Sequence, residues 1–281
     1  MELHPIPTGY FRLDGGAMFG VVPKVIWNKT NPADEQNRID LAMRALLLID
    51  GKRTILIDCG LGHKYSPKFA DIYAVNHTET TLANSLRKHG LTENDITDVI
   101  ITHWHFDHAG GVTTYNAENQ LVPTFPNAHY WVQQKHLTAA LSPNAREKAS
   151  FFPENILPIK NSGQLKLISP SDLIHPAIEL VITDGHTDAM QLPLISHKGK
   201  KLLFAADLFP TTGHIPLPYV MGYDVRPLQT LAEKEIWLNK MIQENIFLYY
   251  EHDPVTECSS IVKTEKGYKA EKKCSLAELL S

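Results

Sequence analysis

Two nearly continuous apolar runs, Arg44 to Ile49 and Arg53 to Asp58, flank the dipeptide Asp50-Gly51. Asp-Gly between apolar runs favours a tight primed turn, because its central positions must tolerate positive φ. Runs that are apolar at almost every position suit strands covered on both faces, so a hairpin is predicted here. From Thr80 to His89 the spacing becomes helical, with Leu82, Ala83 and Leu86 on one side and Gly90 as the stop. Val99-Ile100-Ile101-Thr102 then reads as a strand leading straight into a histidine cluster. Further along, the pattern predicts a strand near Tyr130 to Val132, a helix near Gln133 to Leu141, and strands near Glu179 to Thr183 and Lys201 to Ala205. An amphipathic helix from Pro227 to Gln243 is carried by Leu231, Ile236, Leu238 and Ile242, and Ile246 to Tyr250 is a final inner strand. The tail after Ser259, rich in Lys and Glu, closes with a strand through Ile261-Val262 and a short helix at Leu276 to Leu280. Strands mixed with helices, with no linker rich in Gly, Ser or Pro, predict one layered α/β domain over residues 1–281.

Composition narrows the classes of function. Apolar residues at 43% and charged residues at 21% describe a folded chain rather than a disordered one. Lys plus Arg is 27 against 31 Asp plus Glu, so the formal charge of −4 offers no basic field for nucleic acid or an anionic membrane. Cys59, Cys258 and Cys274 are odd in number and widely spaced, which reads as three thiols rather than a disulfide framework. The start, Met1-Glu2-Leu3-His4-Pro5, lacks a basic and apolar leader, and no run approaches the roughly 20 apolar residues of a membrane span. A cytoplasmic protein with a small-molecule substrate is expected, with a homodimer left open.

The central chemical signal is His103-Trp104-His105-Phe106-Asp107-His108, directly after an apolar strand. Residues at strand ends sit on a rigid element while their side chains open into a crevice. Four ligand-type residues in six positions exceed what one catalytic ion takes, since such a site keeps a position for water. The cluster points to two metals, completed by His186 in Asp184-Gly185-His186, Asp207 after Leu202-Leu203-Phe204, and His252 after Phe247-Leu248-Tyr249. Packing five histidines and two aspartates at sheet ends without a metal would bury unpaired polar groups. Most other histidines read as ordinary core or surface residues, with His214 open either way.

His103-x-His105-x-Asp107-His108, His186, Asp207 and His252, in that order and at those separations, resemble the metallo-β-lactamase superfamily of dinuclear hydrolases. Asp58-Cys59-Gly60-Leu61-Gly62 is similar to that family's early Asp-x-Gly turn. The resemblance implies an αββα sandwich, two central mixed sheets flanked by helices. It also implies that His103, His105 and His186 hold one metal, that Asp107, His108 and His252 hold the other, and that Asp207 bridges both. Leu13 to Lys24, His105 to Gly111 and Ala206 to Thr211 look most like the branch described as quorum-quenching lactonases.

Two divalent ions about 3.5 to 4 Å apart can share a hydroxide and polarise a scissile carbonyl, so no side-chain nucleophile is needed. Zinc is the expected metal, Asp107 is placed to orient the hydroxide or carry a proton, and Asp58 serves as an acceptor behind a ligand histidine or as a plain turn residue. The expected reaction is opening of a lactone or ester, with N-acyl homoserine lactones among the candidates. Met18 and Phe19, in the glycine-flanked run Gly16 to Pro23, form either an apolar flap over substrate or part of a packed strand pair. His214, Tyr219 and Tyr223 follow Asp207 and offer polar contacts to a substrate, with core packing as the alternative for either tyrosine. Acyl-homoserine lactonases commonly place a tyrosine three residues beyond the bridging aspartate. That position is Pro210 here, so Tyr219 or Tyr223 would have to contact the carbonyl. A phosphotriesterase or thioester hydrolase would use the same metals, and a metal-holding scaffold or sensor is the non-enzymatic alternative.

Overall fold

The apolar runs form the strands they predict. The computed structural model describes residues 1–281. Its first eight strands are β1 (Glu2–Asp14), β2 (Arg38–Asp50), β3 (Arg53–Ile57), β4 (Asp98–Ile100), β5 (Thr113–Tyr115), β6 (Leu121–Pro123), β7 (His129–Gln133) and β8 (Leu165–Ile168). A second group follows as β9 (Ile178–Thr183), β10 (Met190–His197), β11 (Lys200–Phe204), β12 (Ile246–Tyr249), β13 (Cys258–Thr264) and β14 (Gly267–Cys274). The chain divides into two units, one of Met1–Phe11 with Met43–Pro170 and one of Arg12–Ala42 with Ser171–Ser281.

The first unit is built on the mixed sheet β1-β2-β3-β4-β7-β8. Strands β2 and β3 are antiparallel, while β3, β4 and β7 run parallel. Asp50 pairs with Arg53, so the hairpin turns through Gly51-Lys52, one residue later than the Asp-Gly signal suggests. Gly51 takes the positive φ of 60° that a primed turn requires. The predicted helix forms over Leu82–Arg87, where the Thr81 hydroxyl accepts from the Asn84 amide. Leu47, Leu56, Val99, Trp104, Phe125 and Tyr130 make the centre of one apolar cluster.

The second unit carries the sheet β14-β13-β12-β11-β10-β9, with β11 and β12 parallel and the other pairs antiparallel. Two of its strands escape the hydrophobic pattern. Pro193 argues against a strand at β10, and β14 is an edge strand of mostly exposed Lys and Glu, a composition that discourages unwanted pairing. The long helix Pro227–Glu244 buries Thr230, Lys234, Leu238 and Met241, whereas Ile236 is 63% exposed. The expected stripe through Leu231, Ile236, Leu238 and Ile242 is therefore offset. Its physical reason is Lys234, whose ammonium donates to the carbonyls of His214 (2.7 Å), Pro216 (3.2 Å) and Tyr219 (2.8 Å) and so satisfies all three of its donors inside the unit.

Asp98 ties β3, β4 and β7 together. It accepts from Arg53 at 2.7 and 3.1 Å, from the Trp131 indole at 2.8 Å and from the Thr97 hydroxyl at 2.7 Å. Burial alone would raise its pKa, but these donors outweigh it and hold the carboxyl below its ordinary value of 3.8. A depressed carboxylate contributes stability above its unfolded pKa and loses that contribution as pH falls through the lower folded value. Asp98→Ala should thus cost about 2–3 kcal/mol in urea unfolding at neutral pH. The gap to the parent protein should narrow once the pH falls below about 4.

Candidate metal centre

In the first unit the donors begin at His103, separated from the end of β4 by two residues. Asp58, at the end of β3, adopts φ 56°, and its amide donates to the Ile100 carbonyl at 3.0 Å. One carboxylate oxygen accepts the Thr102 amide at 2.8 Å, and the other accepts the Thr102 hydroxyl at 2.6 Å and faces His108 Nδ1 at 3.1 Å. With its proton committed to Asp58, Thr102 Oγ1 accepts from His103 Nδ1 at 3.0 Å. These partners assign the proton of His103 and of His108 to Nδ1 and leave Nε2 as the lone-pair nitrogen, the form a metal ligand needs. His103 packs its ring 4.0 Å from that of His108 and 4.5 Å from that of His105. Asp107 Oδ2 lies 3.8 Å from His108 Nε2, and all four residues are buried.

Gly110 and Gly111 follow this turn because there is no room for a side chain. A Cβ at Gly110 would meet the Leu61 carbonyl oxygen, and one at Gly111 would meet that of Cys59. Main-chain bonds hold the same seam, Cys59 N to His108 O at 2.9 Å and Gly111 N to Gly60 O at 2.8 Å.

In the second unit His186 follows β9, Asp207 follows β11 and His252 follows β12. The two carboxylate oxygens of Asp207 face two imidazoles, His186 Nε2 at 3.1 Å and His252 Nε2 at 3.2 Å. His252 Nδ1 donates to the Ala42 carbonyl at 2.8 Å, so a neutral His252 presents a lone pair to Asp207. Two lone pairs at that distance repel unless a cation lies between them. His186 Nδ1 meets Asp224 at 2.8 Å. Burial favours a neutral His186 ring, but Asp207 and Asp224 together overcome it and push the pKa up to about 10. The cluster asks for positive charge, which a proton or a metal ion supplies. Imidazole nitrogen and carboxylate oxygen are the donors that first-row divalent ions accept, so the residues fit a metal site.

The residues expected to touch substrate divide. Met18, Phe19 and His214 are packing residues of the second unit, at 2%, 0% and 1% exposure. Asp14 caps a short helix, Gly15–Phe19, and Phe19 lies against the rings of His214 (4.3 Å) and Trp27 (5.4 Å). The run from Gly16 to Pro23 begins inside this capped helix, which ends at Phe19, so a strand pair does not form there. Its outermost apolar residue, Val21, is 92% exposed. His214 binds Thr211 Oγ1 and the Met18 carbonyl through its two nitrogens, and burial lowers its pKa to about 3. Tyr219 and Tyr223 are half-buried.

Sequence reasoning missed Thr102, Asp224 and the Ala42 carbonyl, which hold ligand-type histidines from positions without any motif. It also missed an aromatic group beside Asp107. Phe106 packs 5.2 Å from Phe69, 4.9 Å from Tyr73 and 5.8 Å from Phe152, with Tyr65 4.5 Å from Phe69. The spacing Tyr65, Phe69, Tyr73 was an available signal.

Two mixed sheets with buried imidazole and carboxylate donors at their strand ends define a metal-dependent hydrolase of the α/β class. Residues 44–242 match the family described as the Metallo-beta-lactamase superfamily, and the chain belongs to it and has its fold. It is 27% identical over 216 residues to an N-acyl homoserine lactonase of Bacillus sp, covering 73% of this chain and 75% of that protein. Among solved structures, a probable metal-dependent hydrolase from Staphylococcus aureus superposes with a TM-score of 0.88 at 30% identity, covering 98% of this chain and 96% of that one. AidC, a dizinc quorum-quenching lactonase in complex with its product, superposes with a TM-score of 0.79 at 21% identity, over 98% and 95% of the two chains.

Asp224→Ala should weaken divalent-metal affinity about 10- to 100-fold, the usual cost of removing an acceptor behind a ligand histidine. Competition against a chromogenic chelator measures it, and unchanged affinity would show that Asp224 does not orient His186.

Proposed function

We propose that His103, His105, Asp107, His108, His186, Asp207 and His252 serve one dinuclear centre, with zinc as its metal, that opens a lactone or ester bearing an apolar acyl chain. The observation that carries this reading is Asp207, whose two oxygens face two separate imidazole nitrogens at 3.1 and 3.2 Å, the presentation a bridging carboxylate requires. Following the superfamily order, His103, His105 and His186 would hold one ion and Asp107, His108 and His252 the other. Two divalent ions held there would bring the pKa of bound water toward neutrality and polarise a carbonyl oxygen.

The chain's own residues do the rest. Asp107, 7% exposed and adjacent to His108, is the group that takes a proton from the nucleophile and returns it to the leaving alkoxide. Phe106, Phe69, Tyr73 and Phe152 form an apolar wall next to it, suited to an acyl chain. Pro210 occupies the place of the carbonyl-contacting tyrosine common in acyl-homoserine lactonases, which leaves Tyr219 or Tyr223 for that contact. The named lactonase relative supports N-acyl homoserine lactones as the first substrates to test.

Protein purified without chelators should contain about two divalent ions per chain by elemental analysis. A reproducible single ion, unaffected by His252→Ala, would sink the dinuclear reading. Asp207→Ala should lose more turnover than Tyr219→Phe or Tyr223→Phe, whose single hydrogen bond is worth at most about 100- to 1000-fold.

Substrate class is tested with the metal-loaded protein on lactones of increasing acyl length, an aryl ester, a thioester and a phosphotriester. A buried methylene is worth about 0.8 kcal/mol, so kcat/KM should rise roughly fourfold per carbon until the wall is covered. Phe69→Ala should flatten that rise while leaving metal content unchanged. Phosphotriester turnover above that of every lactone and ester would overturn the substrate assignment.

A further inference from the structure

The register of β13 and β14 places Cys258 directly opposite Cys274. Opposite residues of an antiparallel ladder project to one face with Cα atoms about 4.5–5.5 Å apart, within the about 4.4–6.8 Å that a disulfide spans. Neither cysteine is in a disulfide here. Cys258 is fully buried, whereas Cys274 ends an edge strand and is half-exposed. One sulfur is thus within reach of a small reagent and the other lies behind it on the same face.

We propose that Cys258 and Cys274 form a reversible redox site that exchanges with low-molecular-weight disulfides. The Cys274 thiolate attacks one sulfur of the reagent, forming a mixed disulfide and releasing one small thiol. The Cys258 thiolate then attacks the Cys274 sulfur, the Cys258–Cys274 bond forms, and the second small thiol leaves. Both protein thiols are oxidised, the reagent disulfide is reduced to two thiols, and the two thiol protons go to the two leaving thiolates. Opposite residues hold their Cβ atoms about 4.5–5.5 Å apart, whereas a relaxed disulfide wants about 3.5–4.5 Å. Closing the bond must draw the strands together, which makes it easily reduced.

The surroundings set the conditions. Burial, with Glu278 and Glu257, raises the Cys274 thiol above its ordinary range against the opposing effect of Lys200, so exchange should quicken as pH rises. The site also borders β12, the strand that His252 follows. Cys258 pairs with Tyr249 on its other side, Tyr250 N donates to the Glu257 carbonyl at 2.9 Å, and the Tyr250 and Ser259 hydroxyls bond at 2.7 Å.

The test incubates folded protein with excess glutathione disulfide at about pH 8.5, monitors its circular dichroism, and counts thiols after quenching in acid and denaturant. Three thiols per chain should fall to one, with peptide mapping finding a Cys258–Cys274 link that dithiothreitol reverses. Cys258→Ser should instead trap glutathione on Cys274. Three persistent thiols in the parent protein would overturn the proposal, as would a stable mixed disulfide at Cys274, a Cys274–Cys274 dimer, or links to Cys59 that indicate scrambling through unfolding.

Discussion

The placement of one proton on each histidine ring underlies the donor set. A neutral imidazole carries one lone pair, and a fixed acceptor at one nitrogen directs that lone pair to the other; the chain supplies such acceptors from several sources. Asp58 faces His108, a threonine hydroxyl itself bound to Asp58 receives His103, Asp224 meets His186, and the Ala42 carbonyl receives His252. Asp58 holds a left-handed conformation that costs a non-glycine residue about 1–2 kcal/mol, offset by its two bonds to Thr102. Local strain at the end of β3 is therefore coupled to the orientation of two rings.

Asp207 concentrates the opposite demand. Its oxygens, aimed at two imidazoles, create a need for positive charge that the buried histidines alone cannot meet in their neutral form. The segment beyond it is pinned by Lys234, a buried cation that closes the segment from His214 to Tyr219 through main-chain carbonyls. That arrangement holds the segment through its main chain, in addition to the bonds that the His214 side chain makes to Thr211 and Met18.

The strands leading to ligand-type residues were legible because each is a short apolar run with its chemistry three positions beyond its end, as in Ile100 to His103 and Tyr249 to His252. The hairpin was legible from Asp50-Gly51, although its register slipped by one. What stayed hidden depends on partners far away in the chain. Nothing near Asp224 marks it as an acceptor, and no spacing rule brings Cys258 opposite Cys274. The helix from Pro227 was found, but its buried face was misassigned since a lysine stands where apolar periodicity expects a leucine. The flanking glycines gave no sign that Met18 and Phe19 stand in a short helix, held by the Asp14 cap and the rings around Phe19.

The seam between Gly110-Gly111 and the Cys59–Leu61 main chain bears on how such a protein can change over generations. Any heavier residue at either glycine pushes backbone against backbone, so a single step there would displace His108 together with the turn that orients it. Few one-step routes through this turn stay functional. The aromatic group of Phe69, Tyr73, Phe106 and Phe152 is held by ring contacts and has no such backbone lock. Single substitutions can therefore reshape that aromatic group, whereas the turn through Gly110 and Gly111 has no space for an added side chain.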